Sequence, residues 1–435
     1  MNDFRIVKRD NFLNEEYTYI KHKSGLDIYI IPKKLSTTYA LFGVKYGSVH
    51  SRIKFDGAAD FVTVPDGIAH FLEHKMFENA DGRDAFELYA EVGASANAYT
   101  SFNMTAYLFS CTDNFEESLE VLIKTVTKPY FSQATVDKEQ GIIGQEIEMG
   151  NDSPGRALLY GMLRSMYKNN KIRIEIAGTK ESISHIDSDL LYKCYNTFYN
   201  LNNMALCICG DVNEDAVVEC ADRLLEKAPE FKAVVEADEE PDEVISPRFT
   251  KAMAVSKPQF AVGVKDNDIS SDPLERMKKS AAVSVLSYML FGPSSDFYND
   301  LYTEGVITGN LDAWNEHCKD YSFISISGEA DDPEEFYRRF LGYMDETFEN
   351  GLDKEEFELA KRVIYSGMVK SFDSTEEIAN NFLVYKFDGG DMFEYASVLG
   401  SLDINETFDV FRKLFRKEHY TLAIITPIGD GENDD

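Results

Sequence analysis

Apolar and polar positions alternate along "TTYALFGVKYGS" (37–48), and the rhythm returns in the second half of the chain as "KPQFAVGVKDND" (257–268). Both segments predict β-strands. The elements that follow recur in the same order. "MTAYLFSC" (104–111) and "YSFISISG" (321–328) read as period-two strands. Each ends in an acidic turn that opens an amphipathic helix, "TDNFEESLEVLIKTV" (112–126) or "EADDPEEFYRRFLGYMDETF" (329–348). Helical segments over 132–154 and 352–374 come next, and each half closes on a strand, "ALCICGDV" (205–212) or "YTLAIITPI" (420–428). Strands joined by long helical segments, without regular βαβ alternation, predict a duplicated α+β domain rather than a doubly wound sheet. Between the copies lies "PEFKAVVEADEEPDEVISP" (229–247), with two acidic clusters, three prolines and no apolar stripe. That is a linker composition. The expected domains are therefore 1–228 and 248–435, joined by 229–247.

Composition narrows the class of protein. A length of 435 residues suits two domains, and 44% hydrophobic with 13% aromatic residues is ample for globular cores. No run of 18 apolar residues occurs, and the N-terminus lacks a basic start followed by an apolar stretch. Neither a membrane span nor a signal peptide is expected. The six cysteines are scattered; Cys207 and Cys209 share one face of a predicted strand and read as small hydrophobes. A reducing, cytoplasmic location fits this usage. The net charge of −32 argues against a nucleic-acid partner, which needs a basic surface. Such a charge would draw a basic peptide, or it is simply a solvated acidic coat.

The candidate chemistry begins in "GIAHFLEHKMFE" (67–78). His70 and His74, four apart on a helix, project from one face about one turn apart and can grip one zinc ion. Glu73 sits slightly round the helix, placed to take a proton from an activated water without being a ligand. Ile68, Ala69, Phe71, Leu72, Met76 and Phe77 form the apolar flank. A catalytic zinc usually has three protein ligands, so one more must come from elsewhere. In "VDKEQGIIGQEIEMG" (136–150), Glu139 and Glu146 share a helical face, while Ile142, Ile143, Ile147 and Met149 make the segment amphipathic and are expected to pack it on a neighbour. Glu146 is the candidate third ligand, and Glu139 the candidate support behind a ligand. An idle surface helix with two histidines and a solvated acidic helix fit the same letters. The duplication separates these readings: aligning "HFLEHKMF" (70–77) with "SVLSYMLF" (284–291) sets Ser284, Ser287 and Tyr288 against His70, Glu73 and His74. Core packing alone gives no reason for that asymmetry.

These pieces, with "VGASANAYTSFNMTAYLFS" (92–110) and "FYNLNNMALCICGDV" (198–212), resemble the inverted-motif zinc peptidases of the insulinase (M16, pitrilysin-like) family. The likeness covers nearly the whole chain and is closest to a short bacterial group of about this length. It implies two homologous LuxS/MPP-like metallohydrolase domains, each a mostly antiparallel sheet covered by helices. It also implies zinc held by His70, His74 and Glu146, catalysis by Glu73, and a supporting catalytic role for Glu139. "SANAYTS" (95–101) matches the edge strand along which the family lays an extended substrate, with Asn97, Ala98 and Tyr99 as candidate contacts. One departure stands in the second half. Where the family often presents an arginine and a tyrosine, "NDLYTEGVITGN" (299–310) has Tyr302 and Thr308. The implied activity is zinc-dependent cleavage of peptides or unfolded segments. The implied assembly is a homodimer or a pair with a related, metal-less subunit. A catalytically silent peptide-binding subunit is the rival expectation.

Overall fold

The computed structural model describes residues 4–10, 13–236 and 239–429. The extreme ends of both expected domains, residues 11 and 12, and linker residues 237 and 238 lie outside the described residues. The first half contributes β1 (Phe4–Asp10), β2 (Glu15–Lys21), β3 (Asp27–Pro32), β4 (Thr38–Val44), β5 (Arg52–Lys54), β6 (Val62–Thr63), β7 (Ser95–Thr100), β8 (Thr105–Cys111) and β9 (Met204–Gly210). Seven of these form a sheet in the order β1-β2-β3-β9-β4-β8-β7, antiparallel except where β3 meets β9. β10 (Val234–Val235), within the expected linker, pairs with β5 in a small third sheet. The second half contributes β11 (Arg248–Met253), β12 (Gln259–Asp266), β13 (Asp312–His317), β14 (Ser322–Glu329) and β15 (Tyr420–Pro427). These pair in the order β11-β15-β12-β14-β13, antiparallel except for β11 with β15. The duplicated α+β architecture is present, with β7 and β13 as equivalent edge strands.

β4 is central and buried on both faces, which explains its nearly continuous apolar run. Ala40, Phe42 and Val44 enter the main core with Ile28, Ile30, Leu206 and Ile208. Tyr39, Leu41 and Gly43 alternate to the other face. There the sheet is capped by the helix Thr375–Phe387, which belongs to the second half of the sequence. It comes so close that a Cβ on Gly43 would stand 2.5 Å from Leu383 Cδ2. β12 repeats the arrangement. Phe260, Val262 and Val264 enter a second core, while a Cβ on Gly263 would meet Met162 Cγ at 2.7 Å and Met166 Sδ at 2.8 Å. Those methionines belong to the helix Pro154–Met166, from the first half.

The compact units reflect this exchange. One comprises the chain through Ile147, the segment from Ile174 into the linker, and Val369–Phe393. The other comprises Glu148–Arg173, the segment from the linker to Met368, and the chain from Glu394 onward. Both large sheets stay within 1–228 and 248–435; the capping helices do not.

The expected linker is docked, not slack. Glu240 accepts backbone N–H bonds from Lys168, Asn169 and Asn170 at 2.7–2.9 Å and pairs with buried Lys265 at 2.9 Å. Burial pushes its carboxyl up, but these donors outweigh burial and hold it below the usual range. All six cysteines are buried free thiols, and Cys207 and Cys209 lie opposite Leu41 and Tyr39 on the capped face. Among the described residues no helix is long and apolar enough to cross a membrane.

Candidate metal centre

The histidine helix, Ile68–Lys75, opens at Gly67, whose φ of 94° is left-handed and whose Cβ would lie 2.5 Å from Ala177 O. Only glycine suits both constraints. Ile68, Ala69, Phe71 and Leu72, with Met76 and Phe77 just beyond the helix, all enter the core. That anchorage turns His70, Glu73 and His74 towards a second helix, Gln133–Asn151. The second helix buries Val136, Ile143 and Ile147. Ile142 and Met149, read from the sequence as packing residues, are instead 45% and 74% exposed, because they fall outside that stripe. Gln140 Nε2 donates to Ile183 O and Ile186 O at 3.3 and 3.0 Å, fixing the helix beside the site.

Four of the expected residues converge across the two helices. His70 Nε2 lies 3.6 Å from Glu146 Oε1, and His74 Nε2 lies 3.6 Å from Glu146 Oε2. One donor atom from each of His70, His74 and Glu146 falls within 4.8 Å of the other two. Among the described residues these form the sole cluster of at least three such side chains at that spacing. Tetrahedral zinc with bonds of about 2.0–2.2 Å holds its ligand atoms about 3.3–3.6 Å apart, so this donor set fits it. Glu139 Oε1 accepts from His74 Nδ1 at 3.0 Å, which leaves Nε2 as the nitrogen facing Glu146. Glu73 stands outside the trio, and its Oε2 accepts from Thr100 Oγ1 at 2.6 Å.

Burial and charge pull in opposite directions here. Burial pushes the Glu73 carboxyl up and the Glu146 charge adds to it, against the Thr100 hydrogen bond and the His74 charge; the net direction is up. His74 is pushed down by burial, but its bond to Glu139 and the charges of Glu73, Glu139 and Glu146 more than offset this and hold it above an ordinary histidine. Three carboxylates around two imidazoles make a site suited to a cation.

Comparison with known proteins fits this geometry. Residues 64–180 match the model of the insulinase family, peptidase family M16, and residues 185–364 match that of the peptidase M16 inactive domain. The uncharacterized zinc protease YmfH of Bacillus subtilis (strain 168) is 39% identical over 423 residues, covering 95% of this chain and 97% of that one. The chain belongs to the M16 family. An M16-like peptidase from Alicyclobacillus acidocaldarius superposes with a TM-score of 0.90 at 30% identity, over 98% of this chain and 99% of that one. A protease from Helicobacter pylori shares the fold, with a TM-score of 0.82 at 18% identity over 95% and 100% of the two chains.

The expected edge strand is β7, hydrogen-bonded to β8 on one side and at the margin of its sheet on the other. Asn97 is exposed, and its Oδ1 accepts from the Ala98 N–H at 2.9 Å, so its side chain covers a main-chain donor of the strand. Ala98 leans on the core. Tyr99 turns to the capped face, where its hydroxyl donates to Asn380 Oδ1 at 2.8 Å while Asn380 Nδ2 donates to Tyr39 at 3.0 Å. Thr100, which the sequence reading passed over, contacts the site directly; period-two alternation from Tyr99 would have placed it on the helix face. In the other unit Tyr302 is 56% exposed, and the Thr308 N–H donates to Glu329 O at 3.2 Å.

Proposed function

We propose that this M16 chain is a zinc-dependent endopeptidase acting on peptides or unfolded polypeptide segments. The observation that carries the reading is the convergence of His70, His74 and Glu146 beside a buried carboxylate, Glu73, that is not one of the three. Zinc held by those side chains supplies Lewis-acid activation of water near neutral pH. Glu73 takes the proton of the attacking water and delivers it to the departing amine nitrogen, so that water and one amide bond become a carboxylate and an amine. Glu139 fixes the His74 ring through Nδ1. The open margin of β7 offers main-chain donors and acceptors to an extended segment, in the way strands accept an added strand.

The chain works, in this reading, as a homodimer or beside a related, metal-less subunit, and in a reducing cytoplasm where its six buried thiols stay free. Light scattering on the purified protein checks the assembly. Glu73→Gln tests the chemistry: turnover of a peptide library should fall at least about a hundredfold while stoichiometric zinc is retained. Unchanged cleavage by that variant would sink the mechanism. A purified chain without stoichiometric zinc would favour the silent peptide-binding subunit.

A further inference from the structure

We infer that Thr100 is the positioning residue for the base: its hydroxyl holds Oε2 of Glu73 and leaves Oε1 to take the proton. The inference rests on the peptidase reading above. A threonine hydroxyl has one hydrogen to give. Two acceptors lie near Thr100 Oγ1, Glu73 Oε2 at 2.6 Å and Thr105 Oγ1 at 3.4 Å. Thr105 directs its own hydrogen to Tyr46 O at 2.8 Å and is fully buried in doing so. Thr105 Oγ1 at 3.4 Å is too far for a good O–H···O bond, and an ionised carboxylate can only accept, so the Thr100 hydrogen goes to Glu73, at the separation of a charge-assisted O–H···O bond. Among the described residues no other group donates a hydrogen bond to the Glu73 side chain. With Glu73 only 8% exposed, solvent water has little access to replace that donor.

The position of Thr100 gives the bond a second meaning. It is the last residue of β7, paired with Thr105 across the ladder. The strand that would receive an extended substrate thus also carries the hydroxyl that orients the base. A peptide seated along β7 steadies the backbone from which this hydroxyl projects, and so steadies the carboxylate.

Thr100→Val keeps the β-branched shape and removes the hydrogen; Thr100→Ser keeps the hydroxyl. Both are to be compared with wild type as zinc-loaded full-length protein, on a quenched fluorogenic peptide chosen because wild type cleaves it. A hydrogen bond to a charged group is worth about ten- to a hundredfold in an equilibrium, so the valine variant should lose about that factor in kcat. Its KM should stay within about twofold and its zinc content stoichiometric, since uniform substrate binding is untouched. The serine variant should return kcat to within about threefold of wild type. Crystal structures of the three proteins supply a readout independent of turnover: one Glu73 rotamer in wild type and the serine variant, and a displaced carboxylate in the valine variant. Wild-type kcat in Thr100→Val, a serine variant as slow as the valine one, or an undisplaced Glu73 overturns the inference. Failure of the peptidase reading looks different: Glu73→Gln then matches wild type, and the rotamer comparison still decides the role of Thr100.

Discussion

The duplication produced two edge strands, each with a helix behind it, and they have diverged in an instructive way. In one unit β7 lies against the histidine helix; in the other β13 lies against Pro273–Phe291. The polar side chains of the second pairing bond locally to one another, while buried Ser287 Oγ has no hydrogen-bond partner among the described residues. Ser284 Oγ donates to Asn315 Oδ1 on β13 at 3.2 Å, and Ser322 Oγ bonds His317 Nδ1 at 2.5 Å and donates to Asp266 at 2.9 Å. In the first pairing, ring nitrogens of His70 and His74 face the oxygens of Glu146 at 3.6 Å around a common point. What separates a site from its scaffold is this convergence of ligand atoms on one centre. The number of polar residues does not distinguish the two.

Several substitutions can break or sharpen that contrast. The largest effect should follow from giving the first helix the second one's residue: His70→Ser takes one donor from the proposed zinc site, and dialysed protein should no longer carry stoichiometric zinc by elemental analysis. Removing the support behind a ligand is milder. Glu139→Gln should weaken zinc affinity about ten- to a hundredfold in a competition titration. The same bond sets a pH dependence. A ligand imidazole must be neutral, and metal-free His74 titrates above an ordinary histidine. Zinc affinity should therefore fall as pH drops through that raised value, and Glu139→Gln should move the midpoint to lower pH.

The reverse graft is expected to fail. Writing Ser284→His, Ser287→Glu and Tyr288→His into Pro273–Phe291 should yield no stoichiometric zinc. Ser287 is only 3% exposed, so a carboxylate left there without a partner should cost at least about 1–3 kcal/mol in urea unfolding. Smallest is the contrast between the two central glycines. Gly43→Ala meets a branched leucine and should cost about 1–3 kcal/mol, whereas Gly263→Ala meets two methionines that can rearrange, and should cost less.

Much of this was legible in the sequence because it is local. The four-residue spacing of His70 and His74 and the seven-residue spacing of Glu139 and Glu146 fix which side chains share a helical face. The blank counterpart at Ser284, Ser287 and Tyr288 then marked the histidine helix as the one under a chemical demand. What the letters do not carry is the identity of a partner surface. Tyr39, Leu41 and Gly43 announce that a second face of β4 is covered, but no periodicity says that residues 375–387 cover it. Ile142 and Met149 mislead for a related reason, since apolar character does not itself put a residue on the buried stripe. Thr100 was hidden by its neighbours, because an edge strand invites attention to main-chain contacts and its one decisive side chain points inward.

The exchanged capping helices also set a clock on the ribosome. The last strand of the first sheet ends at Gly210, and the helix that covers its second face ends at Phe387. At about 5–20 residues per second, that helix emerges roughly 9–35 s after the sheet could have assembled. Throughout that interval Tyr29, Leu41 and Cys207 would present an uncovered apolar surface on the nascent chain. Shelter for this surface during translation, from a holding chaperone or from slow pairing of the strands themselves, is then a requirement that the finished fold no longer displays.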